Sequence, residues 1–267
     1  MSQSDSGMGW LLLSSVSHKY SCTFSASSRP MTDFTQHDPL SDGISSLRLL
    51  DYMGSSIDIV NDARQSFDAE SPEFTSRDQK LLNYLVKHKH TSPFRGVVFK
   101  WQVKAPLFVA RQWWKHVIGG TYANDQLGWN EKSFRYCVAD DEEFYIPNTF
   151  RQQSTNNKQA SSGPLNGRGQ GVAEAAYSDA LLVMKDAYQT LLAAGVSKEQ
   201  ARGILPTCHY TSFVWTCSLQ ALLHFLSLRL PEDSQWEIRA YADHMAEIAE
   251  PIVPEAFDAF YENGQTF

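Results

Sequence analysis

Absences narrow the field first. Four cysteines in 267 residues, Cys22, Cys137, Cys208 and Cys217, show no CxxC or other metal-ligand spacing. Neither a disulfide framework nor a metal site is expected, and free thiols point to a reducing, cytoplasmic setting. No apolar run approaches the length of a membrane span, and the compact Trp-Leu-Leu-Leu at 10–13 is too short even for a signal core. Positive charge is scarce: 23 Lys and Arg face 30 Asp and Glu, a formal charge of −7, which argues against a nucleic-acid partner. A GxGxxG fingerprint is missing as well, so no dinucleotide is held in Rossmann fashion.

What is present suffices for one sizeable core, with 42% apolar and 12% aromatic residues. Residues 1–45, rich in Ser, Asp and Thr, read as a polar, disordered N-terminal extension in which Met31 offers a second plausible start. Residues 46–267 read as a single domain. Within it, 151–171 (RQQSTNNKQASSGPLNGRGQG) has a composition too polar to fold alone, and is expected to be a mobile insertion loop acting as a lid.

The densest chemistry lies at 99–136, FKWQVKAPLFVARQWWKHVIGGTYANDQLGWNEKSFRY. Val97, Phe99, Trp101 and Val103 alternate with Val98, Lys100, Gln102 and Lys104, the period of a half-buried strand. Pro106 suits the first turn of a helix, which places Gln112, Lys115 and His116 on one flank with Arg111, turns Val109 and Trp113 to the core, and ends near Gly119-Gly120. A loop to Gly128 then delivers Glu131, Ser133 and Arg135, alternating onto one side of an extended stretch. Together these groups make an anion pocket that runs against the net negative background. Trp113, Trp114 and Trp129 suit an interface as well as a core.

The remaining periodicities are mostly helical. Tyr177, Leu181, Met184, Tyr188 and Leu191 form a stripe closed by Gly195. Ser197 with Gln200 resembles a capping box opening a short helix that carries Arg202. Ser218, Leu222, Phe225 and Arg229 mark a helix ended by Pro231, and Ile238, Ala242, Met245 and Ala249 mark another. With strands at 97–103 and 143–146, the fold class is α+β: a small antiparallel sheet packed with several long helices.

The run VARQWWKHVIGG…WNEKSFRY resembles the signature of the flavin-dependent thymidylate synthases, whose helix ends in Arg-Gln-Trp-x-Arg-His-Arg and whose loop continues Asn-Glu-x-Ser-x-Arg-Tyr. The resemblance extends through DARQSFD, HKHTSPFRGVVF, EEFYIP, ARGILPTCHYTSFVWTCSLQALLHFLSLRL and QWEIRAYA, covering most of 51–260 in the family's order. It implies reductive methylation of dUMP to dTMP, with methylenetetrahydrofolate as carbon donor and FAD reduced by NADPH. It also implies a homotetramer with sites shared between subunits. Substrate-binding positions carried over are Gln112, Lys115, Glu131, Ser133, Arg135, Arg202 and Arg229, with Arg229 catalytic. Cofactor positions are Ser66, His90, Ser92, Lys115, His116, Val117, Glu131, Ser218, Gln220 and His224.

The departures cluster on the flavin side. Lys115-His116-Val117 stands where the family has Arg-His-Arg, extra residues occupy 120–128, Ser218-Leu219-Gln220 replaces Asn-Ala-Arg, and Arg95 replaces a Glu after Pro-Phe. A planar bidentate donor has become a point charge and another an aliphatic group. Two further readings therefore stand beside the synthase: a nucleotide-binding regulator without flavin chemistry, and a flavoprotein with another activity on a uracil nucleotide.

Arginine suits the nucleotide on chemical grounds. A dianionic phosphate matches charge-assisted bonds from Arg135 and Arg202 with the Ser133 hydroxyl. Arg229 would favour the ionised uracil ring, whose C5 becomes nucleophilic when charge is stabilised on N3 and its carbonyl oxygens. Gln112 is expected to satisfy another ring edge.

Overall fold

The computed structural model describes residues 35–116, 129–139 and 143–267. A four-stranded antiparallel sheet runs in the order β1-β2-β6-β3, formed by β1 (Ser46–Met53), β2 (Val98–Pro106), β3 (Trp129–Glu131) and β6 (Tyr210–Ser218). The predicted alternation in β2 is borne out: Phe99, Trp101 and Val103 are fully buried while Lys100 and Gln102 are exposed. Their buried row faces Trp215 of β6, because the register sets Trp101 against Trp215 and Phe99 against Cys217.

Helices cover that face. Among the described residues they are α1 (Ser56–Arg64), α2 (Ser76–Lys87), α3 (Leu107–Trp113), α4 (Gly167–Ala193), α5 (Lys198–Ala201), α6 (Leu219–Arg229), α7 (Trp236–Ala249) and α8 (Pro254–Glu262). Several starts have a local cause. At α1 the Ser55 backbone N–H donates to Asp58 at 2.7 Å, and at α2 the Thr75 N–H donates to Asp78 at 2.8 Å, the returning half of a capping box. Ser218 caps α6 by accepting from the Ala221 N–H at 3.2 Å. The expected stop of α4 is also found, since Gly195 takes φ +82°, a left-handed conformation that costs glycine little. Ile238, Ala242, Met245 and Ala249 of α7 are all fully buried, as their spacing predicted.

Five expectations are corrected. The helix after Pro106 ends at Trp113 rather than near Gly119-Gly120, with His116 N–H closing a turn onto the Trp113 carbonyl at 2.9 Å; Gly119 and Gly120 lie outside the described residues. Residues 143–146 are not a strand: only Phe144 bridges to His209. Ser133 and Arg135 do not continue the extended stretch from Glu131, because the Ser133 carbonyl accepts from the N–H groups of Tyr136 and Cys137, a turn. The segment 151–171 is not an irregular loop: β4 (Arg151–Gln153) and β5 (Ser161–Pro164) pair as a hairpin, and α4 begins at Gly167, capped by Asn166. Finally, the ordered chain begins before residue 46. His37 bridges to Leu47, Leu40 is buried, and the Asp42 carboxylate accepts from the Tyr210 hydroxyl.

One aromatic group ties the layers together. Trp113, fully buried, lies edge-on to Phe213 at 5.5 Å, to Trp215 at 5.7 Å and to Tyr241 at 5.7 Å, and stacks on Phe225 at 4.8 Å. It joins α3, β6, α6 and α7 in one contact. Trp113→Ala is expected to lower the unfolding free energy by about 3–5 kcal/mol, read from urea titration; a loss below about 1 kcal/mol would show that α3 is held elsewhere.

Candidate functional site

The knot around Trp113 carries two sequence-predicted groups to the end of α6. Three residues beyond Trp113, buried His116 accepts at Nε2 from the Nε–H of half-buried Arg229, the last residue of α6, at 3.1 Å. The His224 ring lies 5.7 Å away and that of Phe225 5.1 Å away. A guanidinium only donates, so Nε2 of His116 bears the lone pair and the proton of the neutral ring sits on Nδ1. That Nδ1 is buried without a partner among the described residues. Burial, the neighbouring Arg229 charge and His224 together lower the His116 pKa to about 4, and burial also lowers that of Arg229.

A second group surrounds a cavity of about 480 Å³ whose walls include Arg111, Trp114, Glu131, Arg202, His209 and Thr211. Glu131, on β3, accepts from the Thr211 hydroxyl at 2.7 Å. Exposed Arg202 follows α5 in a 3-10 turn, its Nε–H donating to the Glu199 carbonyl at 3.3 Å. A small satellite core of Phe134, Ala139, Tyr188 and Ala201 fastens the turn bearing Ser133 and Arg135 to α4 and α5. Lys198 reinforces it, donating to the Tyr136 carbonyl at 2.9 Å. Arg135 is exposed, with its Nε 3.3 Å from the Ser133 hydroxyl and its guanidinium 5.3 Å from the Tyr136 ring.

The third group lies at the other end of α6. Gln220 is buried and clamped, accepting from Arg95 Nε at 2.6 Å and donating to the Thr91 hydroxyl at 2.8 Å. Two departures from the family pattern, Arg95 and Gln220, are thus partners of each other. Ser218 caps the helix beside them, and exposed Ser92 opens the 3-10 turn that carries Arg95. His90 is exposed, its ring 5.8 Å from that of Tyr84.

Several predicted residues stand apart from these groups. Gln112 lines neither the cavity nor the His116 group; it donates to Gln235 at 2.6 Å. Lys115 is exposed in the turn after α3, and Ser66 is exposed in the 3-10 turn Gln65–Phe67. Val117 lies outside the described residues. Sequence reasoning missed His209, buried in the cavity wall with Nε2 unpartnered among the described residues and its ring between Phe134 at 4.6 Å and Phe144 at 5.1 Å. Burial again lowers its pKa to about 4. His209 lies inside the family-like run ARGILPTCHYTSF, in which the resemblance marks Arg202 alone.

The chain is similar to several known proteins. A family model described as thymidylate synthase complementing protein matches residues 48–255. A flavin-dependent thymidylate synthase of Thermus thermophilus is 44% identical over 220 residues, covering 81% of this chain and 76% of that protein. One from Thermosipho africanus is 38% identical over 220 residues, covering 80% and 90%. The crystal structure of a UMP/dUMP methylase, PolB, from Streptomyces cacaoi with 5-Br dUMP superposes with a TM-score of 0.72 at 27% identity, covering 83% of this chain and 97% of that one.

The two buried imidazoles set a pH dependence. An unfolded histidine titrates near pH ~6.5, so a folded pKa lowered to about 4 means that the unfolded chain takes up protons first as the pH falls. Their contribution is whole above about pH 6.5 and is lost as the pH falls toward 4. At pH 5 the linkage reaches at most roughly 2 kcal/mol per histidine. His209→Gln is expected to flatten the fall in unfolding free energy between pH 7 and 5 by about 1–2 kcal/mol; a variant that loses stability as steeply as the parent would overturn the neutral, buried state.

Proposed function

Because the chain belongs to the thymidylate synthase complementing protein family, and its curated relatives are flavin-dependent thymidylate synthases, we propose that it methylates dUMP to dTMP, with methylenetetrahydrofolate as carbon donor and FAD reduced by NADPH. The observation that carries the reading is the pairing of Arg229 with a neutral His116 beside His224. It puts a half-buried guanidinium, the group suited to charge developing on a uracil ring, on the same imidazole as an N–H without a partner among the described residues.

The donor set fits a flavin. Nδ1 of His116 has no acceptor among the described residues, and a flavin offers carbonyl oxygens and ring nitrogens that could serve as one. His116 and His224 would contact it there, while Ser218 and Gln220 with His90 and Ser92 form the group at the other end of α6. When bound, the reduced flavin supplies the hydride chemistry. The protein's own residues do the rest: Arg202, Arg135 and Ser133 hold the phosphate, Glu131 is fixed by Thr211 at the cavity wall, and Arg229 stabilises negative charge on the base. An eleven-residue α6 is about 16 Å long, so its two ends reach different parts of an extended ligand or different ligands. The family resemblance further implies a homotetramer with sites completed by neighbouring subunits. Free Cys137, Cys208 and Cys217 agree with a reducing cytoplasm, and among the described residues no helix is long and apolar enough to cross a membrane.

Arg135→Ala and Arg202→Ala are each expected to weaken dUMP binding by about 2–4 kcal/mol, seen in KM, whereas Arg229→Ala lowers kcat more, since charge on the ring develops during reaction. Wild-type titration curves and turnover in all three would place the nucleotide elsewhere. For the reaction itself, tritium release from C5-labelled dUMP together with anaerobic bleaching of added FAD by NADPH is the expected result. Bleaching without tritium release would indicate a flavoprotein of another activity, and dUMP binding without bleaching a nucleotide-binding regulator.

A further inference from the structure

Four charged side chains line the cavity of about 480 Å³: Arg111, Glu131, Glu199 and Arg202. Among the described residues none of them stands in an ion pair. Glu131 accepts from the Thr211 hydroxyl, and Arg202 commits only its Nε–H, to the Glu199 carbonyl. The exposed Arg111 side chain makes no hydrogen bond among the described residues. His209, in the same wall, is uncharged at neutral pH, since burial lowers its pKa to about 4.

The balance of charge limits what Arg202 can do alone. With one guanidinium against two carboxylates the wall is net negative, and a phosphate dianion entering it is repelled. A second guanidinium brings the wall to neutrality, and Arg135, which flanks the wall residue Phe134, then tips the site positive. The place of Arg111 is fixed by its neighbours on α3: Trp113 is packed among four rings, and Trp114 is itself part of the cavity wall. The volume lies within the roughly 300–1,000 Å³ of small-molecule sites. A nucleoside monophosphate answers both signs of charge, because its phosphate accepts from guanidiniums while its sugar hydroxyl donates to a carboxylate.

We propose that Arg111, to which the family resemblance assigns no role, is a substrate-binding residue that shares the nucleotide phosphate with Arg202. The inference rests on the reading that places a uracil nucleotide in this cavity, and it deepens that reading by naming a further phosphate donor. Arg111 stands on α3 and Arg202 on the 3-10 turn after α5, so the phosphate bridges two elements that no ion pair joins among the described residues.

The test uses the full-length protein with added FAD. Dissociation constants are measured for dUMP by calorimetry and for deoxyuridine, which lacks the phosphate, by competition against dUMP, with a melting curve for each variant. Arg111→Ala is expected to weaken dUMP about tenfold or more while deoxyuridine stays within about twofold, and Arg111→Lys, a point charge without the planar fork, is expected to recover part of the loss. The melting temperature without ligand is expected to stay unchanged, and Arg111→Gln serves if the alanine variant does not fold. Unchanged dUMP binding, or an equal loss for dUMP and deoxyuridine, would overturn the proposal. The two readings fail differently. If Arg202→Ala weakens dUMP and Arg111→Ala does not, the inference falls and the nucleotide reading stands; if neither Arg202→Ala nor Arg135→Ala weakens it, the nucleotide lies elsewhere and both fall.

Discussion

The packing of Trp113 is the contact on which the site depends. α3 is only seven residues long, too short to hold its own shape in water, and its entry is fixed by the Leu107 and Phe108 N–H groups donating to the carbonyls of His209 and Thr207, both at 2.9 Å. The indole of Trp113 then closes against Phe213, Trp215, Phe225 and Tyr241. Gln112 precedes this anchor and His116 follows it by three residues, so one buried side chain places a polar group on each side of itself. A helix this short cannot absorb a shift of its anchor without moving both.

Burial then decides the charge states. His116 and His209 are kept neutral because the apolar surroundings penalise the imidazolium, and at His116 the Arg229 guanidinium adds its repulsion. Glu237 is buried too, and its carboxyl group takes donors on both oxygens, from Arg151, Tyr145 and Gln235. The consequence at the end of α6 is a defined hydrogen-bond polarity: His116, accepting from Arg229 at Nε2, is fixed in one tautomer. At the other end of α6 the substitution of two family positions is likewise local and mutual, since Arg95 and Gln220 bond directly and leave the helix start intact.

The elements legible in the sequence are those whose periodicity faces a single core. β2, α6 and α7 run where their apolar spacing puts them, and the family resemblance marks Arg135, Arg202, Arg229, His116 and His224 as candidate site residues. β1 and β6 are not legible in this way. β6 is flanked by strands on both sides and is buried at Tyr210 and Thr211, and again at Cys217 and Ser218, so two-fold alternation fades at both of its ends. Residues 37–45 and 151–171 mislead for a shared reason. Their polar composition signals solvent, but Asp42 serves the Tyr210 hydroxyl and Arg151 serves Glu237, partners that local composition does not reveal.

By itself the sequence determined the residue types, their spacing along each helix and strand, and the family to which they belong. Which of the predicted groups meet was decided only in three dimensions. His116 bonds Arg229 across 113 positions and Gln112 bonds Gln235 across 123. Periodicity carries information about neighbours one turn or one strand residue apart. Contacts at those separations are set by how the helices pack over the sheet.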